Sequence, residues 1–319
     1  MGVSRDEQEI DGSFERTQYL WTREMMESVC WSLQKGKGRI PMKIGFIGLG
    51  NMATAIIGGL LREDTALSSE DGNATVITAA NIIGSAKTEA TRQKRAEQFG
   101  IAVTASNREV AEAADVLVLA VKPQFFPEVI AEIRDAVSEN TLVISIAAGL
   151  TLERIAGLFD RNVTAMRLIR CMPNTPALVN AGCTAVVPGP GATEADEALC
   201  LRLMESFGRA IVIPERLMDA ASATAGSSPA FVFMFIEALA DGAVAAGMPR
   251  AQAYEFAAAA VAGSAQLVLE TGRHPGDLKD MVCSPGGTTI EGVRALEEGA
   301  FRASVMNAIS ACVEKAKAL

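Results

Sequence analysis

The stretch KIGFIGLGNMATAIIGGLLRE, which begins at Lys43, constrains this chain more than any other. A short apolar run meets Gly48, Gly50 and Ala53 at G-x-G-x-x-A spacing and then turns helix-periodic. The spacing alone is weak, because glycines collect in turns; a strand before it and a helix after it give it meaning. Gly48 permits the tight turn, Gly50 lets backbone approach a pyrophosphate, and Ala53 lets helix and strand pack closely. The helix N-terminus adds positive potential. Dinucleotide binding is the expectation.

The rest of the chain continues this alternation. TVITAA reads as a second strand and KTEATRQKRAEQFG as a helix ending at Gly100. IAVT, DVLVLAV, TLVISIA, AMRLIRCM, CTAVVP and RAIVIP follow as strand-like pieces with helices among them. Strands alternating with helices of this length form a parallel sheet. After Pro214 strand signals stop, and five helices are expected: 229–247, 250–271, 275–282, 288–298 and 301–316. The fold class is therefore an α/β Rossmann-type dinucleotide-binding domain, residues 42–213, followed by an all-α dimerisation domain, residues 214–319. The two long helices are apolar on nearly every face, the mark of helices buried all round. About 105 residues cannot hide them alone, so a homodimer or larger assembly is expected.

Composition narrows the function. Net charge is −9 and no Lys/Arg stripe is present, which argues against a nucleic-acid partner. The six cysteines form no C-x-x-C pair, and His274 is the single histidine; together they argue against a metal site and a Ser–His triad. Reduced thiols in a cytoplasmic protein are expected. Glu237 and Asp241 interrupt the apolar segment 229–247, which reads as a buried helix rather than a membrane anchor. Residues 1–41 carry both tryptophans and no strand pattern, and read as a poorly ordered N-terminal extension. Trp21, Met25 and Val29 within it have helical spacing, and Met42 is a second candidate start.

The end of the second strand chooses between nicotinamide cofactors, since an acid there binds the ribose of NAD and repels a 2′-phosphate. Here Asn81, Ser85 and Lys87 precede the first acid, Glu89, which favours NADPH with NADH as the alternative. Asn81 and Ser85 are both candidates for the contact. Ala120, Val121, Lys122 and Pro123 close the DVLVLAV strand, where open α/β sheets bind ligands. Lys122 is either a solvated strand end or near the cofactor. Asn107 is either an N-cap or a ribose contact.

A second constellation is CSPGGTTIEG, from Cys283. Thr288 and Glu291 have capping-box spacing, so Thr288 is the expected N-cap. Capping leaves Gly286, Gly287 and Thr289 unexplained. Glycines before a helix start expose backbone N–H groups suited to a small carboxylate, with the Thr289 hydroxyl beside it. With no strong general acid in view, reduction of a cyclic imine suits such a site better than reduction of a ketone. Asn174 and Thr175 either shape a turn or serve the site, Ser227 and Ser228 read as helix caps, and His274 reads as a loop or cap residue.

Read together, MKIGFIGLGNMATAI, AVKPQ, SIAAGLTL, MPNTPALVNAG, GSSPAFVFMFIEALADGAVAAGMPR and HPGDLKDMVCSPGGTTIEGVRALEEGAFR resemble pyrroline-5-carboxylate reductases across residues 42–319. The resemblance implies NAD(P)H-dependent reduction of 1-pyrroline-5-carboxylate to L-proline, the last step of proline biosynthesis, by a dimer that often assembles into rings. It implies cofactor contacts from Ile47, Gly48, Leu49, Gly50, Asn51, Met52, Asn107, Val121, Lys122 and Ala148. Thr289 is implied to meet the ring nitrogen as the catalytic hydroxyl. Ser284, Gly286, Gly287 and Thr288 would face the carboxylate, and Glu215 would be a substrate-side acid. Met281 stands where some relatives carry Asn, and residues 1–41 have no counterpart. The rival readings are a β-hydroxyacid dehydrogenase, which wants a lysine absent between Arg216 and Leu278, and a non-catalytic dinucleotide-binding protein.

Overall fold

The computed structural model describes residues 42–62, 66–67 and 75–317. The expectations for residues 1–41, including the helical spacing of Trp21, Met25 and Val29, lie outside the described residues.

β1 (Ile44–Ile47) runs into α1 (Asn51–Leu60), and β2 (Ala66–Leu67) pairs antiparallel with β3 (Thr75–Val76). Then follow β4 (Ile82–Ser85), α2 (Glu89–Phe99), β5 (Ala102–Thr104), α3 (Asn107–Ala113), β6 (Val116–Leu119), α4 (Phe126–Ile133), β7 (Leu142–Ser145), α5 (Leu152–Leu158), β8 (Leu168–Met172) and β9 (Gly182–Pro188). α6 (Glu194–Glu205) leads into β10 (Gly208–Val212). The main sheet has the order β10-β9-β8-β7-β6-β1-β4-β5, parallel throughout except for β8 against β9. The chain winds outward from β1 through β4 to β5, then crosses back to β6. The switch point between β1 and β6 opens a crevice at the C-terminal strand edge, where such sheets bind ligands.

β1 shows why the sheet is buried on both faces. Ile44 and Phe46 join one apolar layer with Ile56, Ile57, Leu203 and Phe207. Ile47 joins the other with Leu117, Phe126, Ile130 and Ile133. Runs apolar on both faces are what parallel strands covered by helices require. α2 ends as expected, with Gly100 left-handed at φ +67°.

The second strand falls later than TVITAA. Only Thr75–Val76 of that run is strand, and it belongs to the small hairpin. A turn at Ala79–Asn81 intervenes, closed by reciprocal bonds between Thr78 and Asn81, and IIGS is the strand that joins the sheet beside β1.

Beyond β10 all described structure is helical. A short turn at Glu215–Leu217 and α7 (Met218–Ala221) lead through a π-helical turn, Ser222–Ser227, into α8 (Ser228–Ala245). α9 (Arg250–Thr271), α10 (Pro275–Val282), α11 (Thr288–Glu298) and α12 (Phe301–Lys317) complete the chain. Ser227 ends the π turn and holds the N-cap position of α8 without a side-chain capping bond, and the Ser228 hydroxyl bonds the Thr224 carbonyl one turn back. Pro229 accounts for the irregularity. In an α-helix its N–H would serve the Ala225 carbonyl, and proline has none. Asn174 supplies the missing donor, with its Nδ2 at 2.9 Å from Ala225 O and its Oδ1 accepting from Cys183 N at 2.8 Å. The β8–β9 connection is thereby tied to the long helix.

Burial in this helical part differs from expectation within one chain. α8 and α9 pack on each other through Ala240, Ala253 and Ala257, with Ile236 and Val244 alongside. Phe233, Met234 and Phe256 remain 61%, 68% and 66% exposed. A single layer of helices has nothing to place over its second face. Residues 215–245 form the one helical stretch among those described that is long and apolar enough to cross a membrane.

Candidate active site

The C-terminal strand edge gathers most of the residues singled out by the sequence. Gly48 has φ +95°, and a Cβ there would lie 2.9 Å from Ala120 O and from Val121 Cγ1. Gly48 N donates to Ser85 O at 3.0 Å, and Ala120 N to Ile47 O at 2.9 Å. The loop Ile47–Met52, Ser85 and the segment Ala120–Pro123 therefore share one rim. At Gly50 the surroundings are open, with nothing within 4 Å of an added Cβ. Gly50 is also the N-cap of α1, and no side chain caps that end. Free amides, the positive end of a helix and open space at Gly50 suit a pyrophosphate. Leu49 is buried against Gly84, where an added Cβ would lie 2.6 Å from Leu49 Cδ2, so the loop leans over β4. Lys122 and Ala148 are exposed just past the ends of β6 and β7. The residues present fit a dinucleotide.

Asn107 and Ser85 are joined directly. Ser85 Oγ, fully buried, donates to Asn107 Oδ1 at 2.7 Å, and Asn107 Nδ2 donates to Glu132 Oε2 at 2.7 Å. Ser106, not Asn107, caps α3, by accepting from Glu109 N. The partnership with Glu132 was not legible in the sequence, because it spans two helices 25 residues apart.

Asn81 does not stand where a cofactor contact requires. It precedes β4, at the opposite strand edge, because the Thr78 turn delays the strand. Its Oδ1 accepts from Thr78 N at 2.9 Å and Thr78 Oγ1 at 2.8 Å, and its Nδ2 donates to Met42 O at 3.0 Å. The carboxamide oxygen closes that turn, and the nitrogen ties it to Met42 just before β1.

The α10–α11 connection forms the second constellation. Ser284 O accepts from Gly287 N at 3.0 Å, and Gly286 takes φ +68°. The N-cap of α11 is Gly287, in extended backbone, rather than Thr288. Glu291 does not complete a capping box; its carboxylate takes Arg294 Nε at 3.0 Å and Nη2 at 2.9 Å. The reason is that Gly287 adopts the cap conformation one residue early and places Thr288 and Thr289 in the first turn. With no side-chain cap, the leading amides of α11 stay open to an anion.

Glu215 lies beside the start of α5, its Oε1 accepting from Leu152 N at 2.9 Å and from the buried Arg170 Nη1 at 3.0 Å. α5 follows β7 at the same edge as Ala148, which brings Glu215 to the nucleotide side of the sheet. No described hydrogen bond or ion pair joins Ser284–Thr289 to that edge within one chain. His274 caps α10, its Nδ1 accepting from Gly276 N at 3.0 Å. The Cys171 and Cys200 sulfurs lie 3.5 Å apart in the core, where their hydrogen bond and burial push the Cys171 thiol up, so it is no nucleophile.

Comparison with known proteins follows the same division. Residues 215–319 match the family model for pyrroline-5-carboxylate reductase dimerisation, and residues 43–149 that for NADP oxidoreductase, coenzyme F420-dependent. A pyrroline-5-carboxylate reductase of Escherichia coli (strain K12) is 51% identical over 277 residues, which are 87% of this chain and 98% of that protein. Its counterpart in Methanosarcina acetivorans is 41% identical over 277 residues, 87% and 97% of the two chains. The solved pyrroline-5-carboxylate reductase of Coxiella burnetii superposes with a TM-score of 0.78 at 33% identity, over 87% and 98%. The Plasmodium falciparum pyrroline carboxylate reductase with NADP bound gives 0.71 at 30%, over 88% and 99%. Sequence identity at this level and coverage, on a shared fold, establishes that the chain belongs to the pyrroline-5-carboxylate reductase family.

Proposed function

We propose that this chain reduces 1-pyrroline-5-carboxylate to L-proline with NAD(P)H, as the final step of proline biosynthesis. The observation that carries this reading is the pairing of an open dinucleotide cradle at Gly48–Gly50 with an uncapped, glycine-led helix start at Gly286–Thr289, in a chain 51% identical to a named relative across nearly its whole length. When bound, the reduced nicotinamide would supply the hydride to the imine carbon, and the imine, basic enough to enter protonated from solvent, would bring the proton that the product's ring nitrogen keeps. The Gly48–Gly50 loop and the α1 N-terminus hold the pyrophosphate, while Ala120–Pro123, Asn107 and Ala148 line the nucleoside portions. The amides that lead α11, with Ser284, Gly286, Gly287 and Thr288, hold the substrate carboxylate. Thr289 hydrogen-bonds the ring nitrogen through its hydroxyl and orients the imine carbon. Glu215, fixed by Arg170 and the α5 N-terminus, presents its second oxygen on the substrate side. Hydride transfer requires reacting atoms about 3–3.5 Å apart, so the two constellations must meet around both ligands.

We infer a division at 42–213 and 214–319, and a homodimer, with a ring of dimers as the larger assembly. The support is the dimerisation model over 215–319 and the exposed Phe233, Met234 and Phe256. A partner's helices over those faces also remove any need for a membrane. The free thiols at Cys171, Cys183, Cys200, Cys283 and Cys312 suit the cytoplasm.

The deciding assay is oxidation of NADPH and of NADH by purified protein, each with and without the imine. Imine-dependent oxidation with proline as product is expected; none with either cofactor would refute the reading. Thr289→Ala is expected to lower kcat about 100-fold with NADPH affinity nearly unchanged. Equal loss of both would assign Thr289 to the frame of the site instead.

A further inference from the structure

We propose that Arg95, on the second turn of α2, is the residue that selects the 2′-phosphorylated form of the dinucleotide. The proposal rests on the NAD(P)H reading above and adds a determinant that lies beyond the strand end. Four observations carry it.

First, the segment after β4 is Ser85-Ala86-Lys87-Thr88, with no acid to claim a free ribose 2′-hydroxyl. The acid that follows, Glu89, is already bound by Arg92. Second, two cations of α2 turn back over this edge instead of into solvent. Arg92 Nη1 donates to Ala86 O at 2.6 Å and Lys87 O at 3.3 Å. Arg95 Nε reaches 46 residues along the chain to Leu49 O, at 3.3 Å, inside the glycine loop.

Third, Leu49 covers Gly84 of β4. Its carbonyl takes Arg95 of the helix that follows β4, which puts this end of the loop on the β4 side of the switch point, the half of the crevice in which the adenosine of a dinucleotide lies. Fourth, the two arginines differ in what they have left to offer. Arg92 is held by a carboxylate and two carbonyls. Arg95 has one long bond to a carbonyl and one from Nη1 to Gln98 Oε1 at 2.7 Å. Both partners are neutral, and no carboxylate pairs with Arg95 among the described residues, so its charge is uncompensated beside the loop. A guanidinium so placed offers a planar pair of donors matched to a phosphate, which Lys87 with a single ammonium does not. The chemistry recognised is a phosphomonoester on the adenosine ribose.

The test is calorimetric binding of two probes that lack nicotinamide, 2′,5′-ADP and 5′-ADP, to the full-length protein at low and high salt. Wild type is expected to prefer 2′,5′-ADP, with the preference shrinking as salt rises. Arg95→Gln is expected to weaken 2′,5′-ADP about tenfold while 5′-ADP stays within about twofold. Arg95→Lys, which keeps the charge but not the planar pair of donors, should recover only part of the preference, and KM for NADPH should rise in the Gln variant while KM for NADH does not. An equal loss for both probes would make Arg95 only a prop for the glycine loop and overturn the proposal, as would no change in either. Wild type that binds both probes equally would also overturn the proposal, whereas wild type that binds neither the probes nor NADPH itself would refute the cofactor reading on which it rests.

Discussion

At Gly48 and Gly50 the same residue type answers two different demands. Gly48 is held at φ +95° against Ala120 and Val121, so the fold itself requires it. Gly50 has open space where a side chain would stand, so only a ligand requires it. Gly48→Ala should therefore lower stability by about 1–3 kcal/mol, seen as a fall in the urea midpoint. Gly50→Val should leave that midpoint nearly unchanged and weaken NADPH binding at least about tenfold, measured by fluorescence titration. The spacing of these glycines was legible in the sequence because the strand and helix around them were. Asn81 was not, because its meaning depends on where β4 begins. A three-residue turn closed by Thr78 moves that start and places the side chain at the wrong end of the strand.

Helix starts and interruptions carry the same lesson at the next scale. The T-x-x-E spacing at Thr288 and Glu291 was readable, but Gly287 takes the cap conformation and Arg294 takes the acid. The consequence is a helix end left open, which strengthens the case for an anion there. In the long helix, Pro229 marks an interruption that sequence alone shows as a helix start. What sequence does not show is that Asn174, 51 residues before the Ala225 carbonyl it serves, provides the donor the proline lacks. The two positions should be coupled. Asn174→Ala is expected to cost about 1–2 kcal/mol in the parent chain, and clearly less when Pro229→Ala restores a backbone N–H. Additive losses in chemical denaturation would mean that the amide's bond to Cys183 N, not its bond to the helix, carries the effect.

For the molecule as a whole, the doubly wound sheet was legible because its central strands β1, β6 and β7 are continuous apolar runs between helix patterns. The apolar all-round character of α8 and α9 was equally legible, yet the burial it implies is not reached within one chain. One copy leaves Phe233, Met234 and Phe256 largely exposed. Introducing a charge at Met234, as Met234→Glu, is expected to shift the protein toward monomer in size-exclusion light scattering and to lower its thermal midpoint. The parent's midpoint should rise with protein concentration, as mass action demands of a folded dimer.

The same exposed helices also shape how this protein comes into being. A newly made chain can complete its sheet alone, at a rate set by itself. If a second copy covers Phe233 and Phe256, as proposed above, closing those faces requires an encounter with a sibling, and maturation becomes second order in nascent chains. The waiting time then grows as expression falls, and throughout it an apolar stretch is on offer to chaperones and to unrelated surfaces. Synthesis from neighbouring ribosomes on one message would shorten that interval without any change to the folded enzyme.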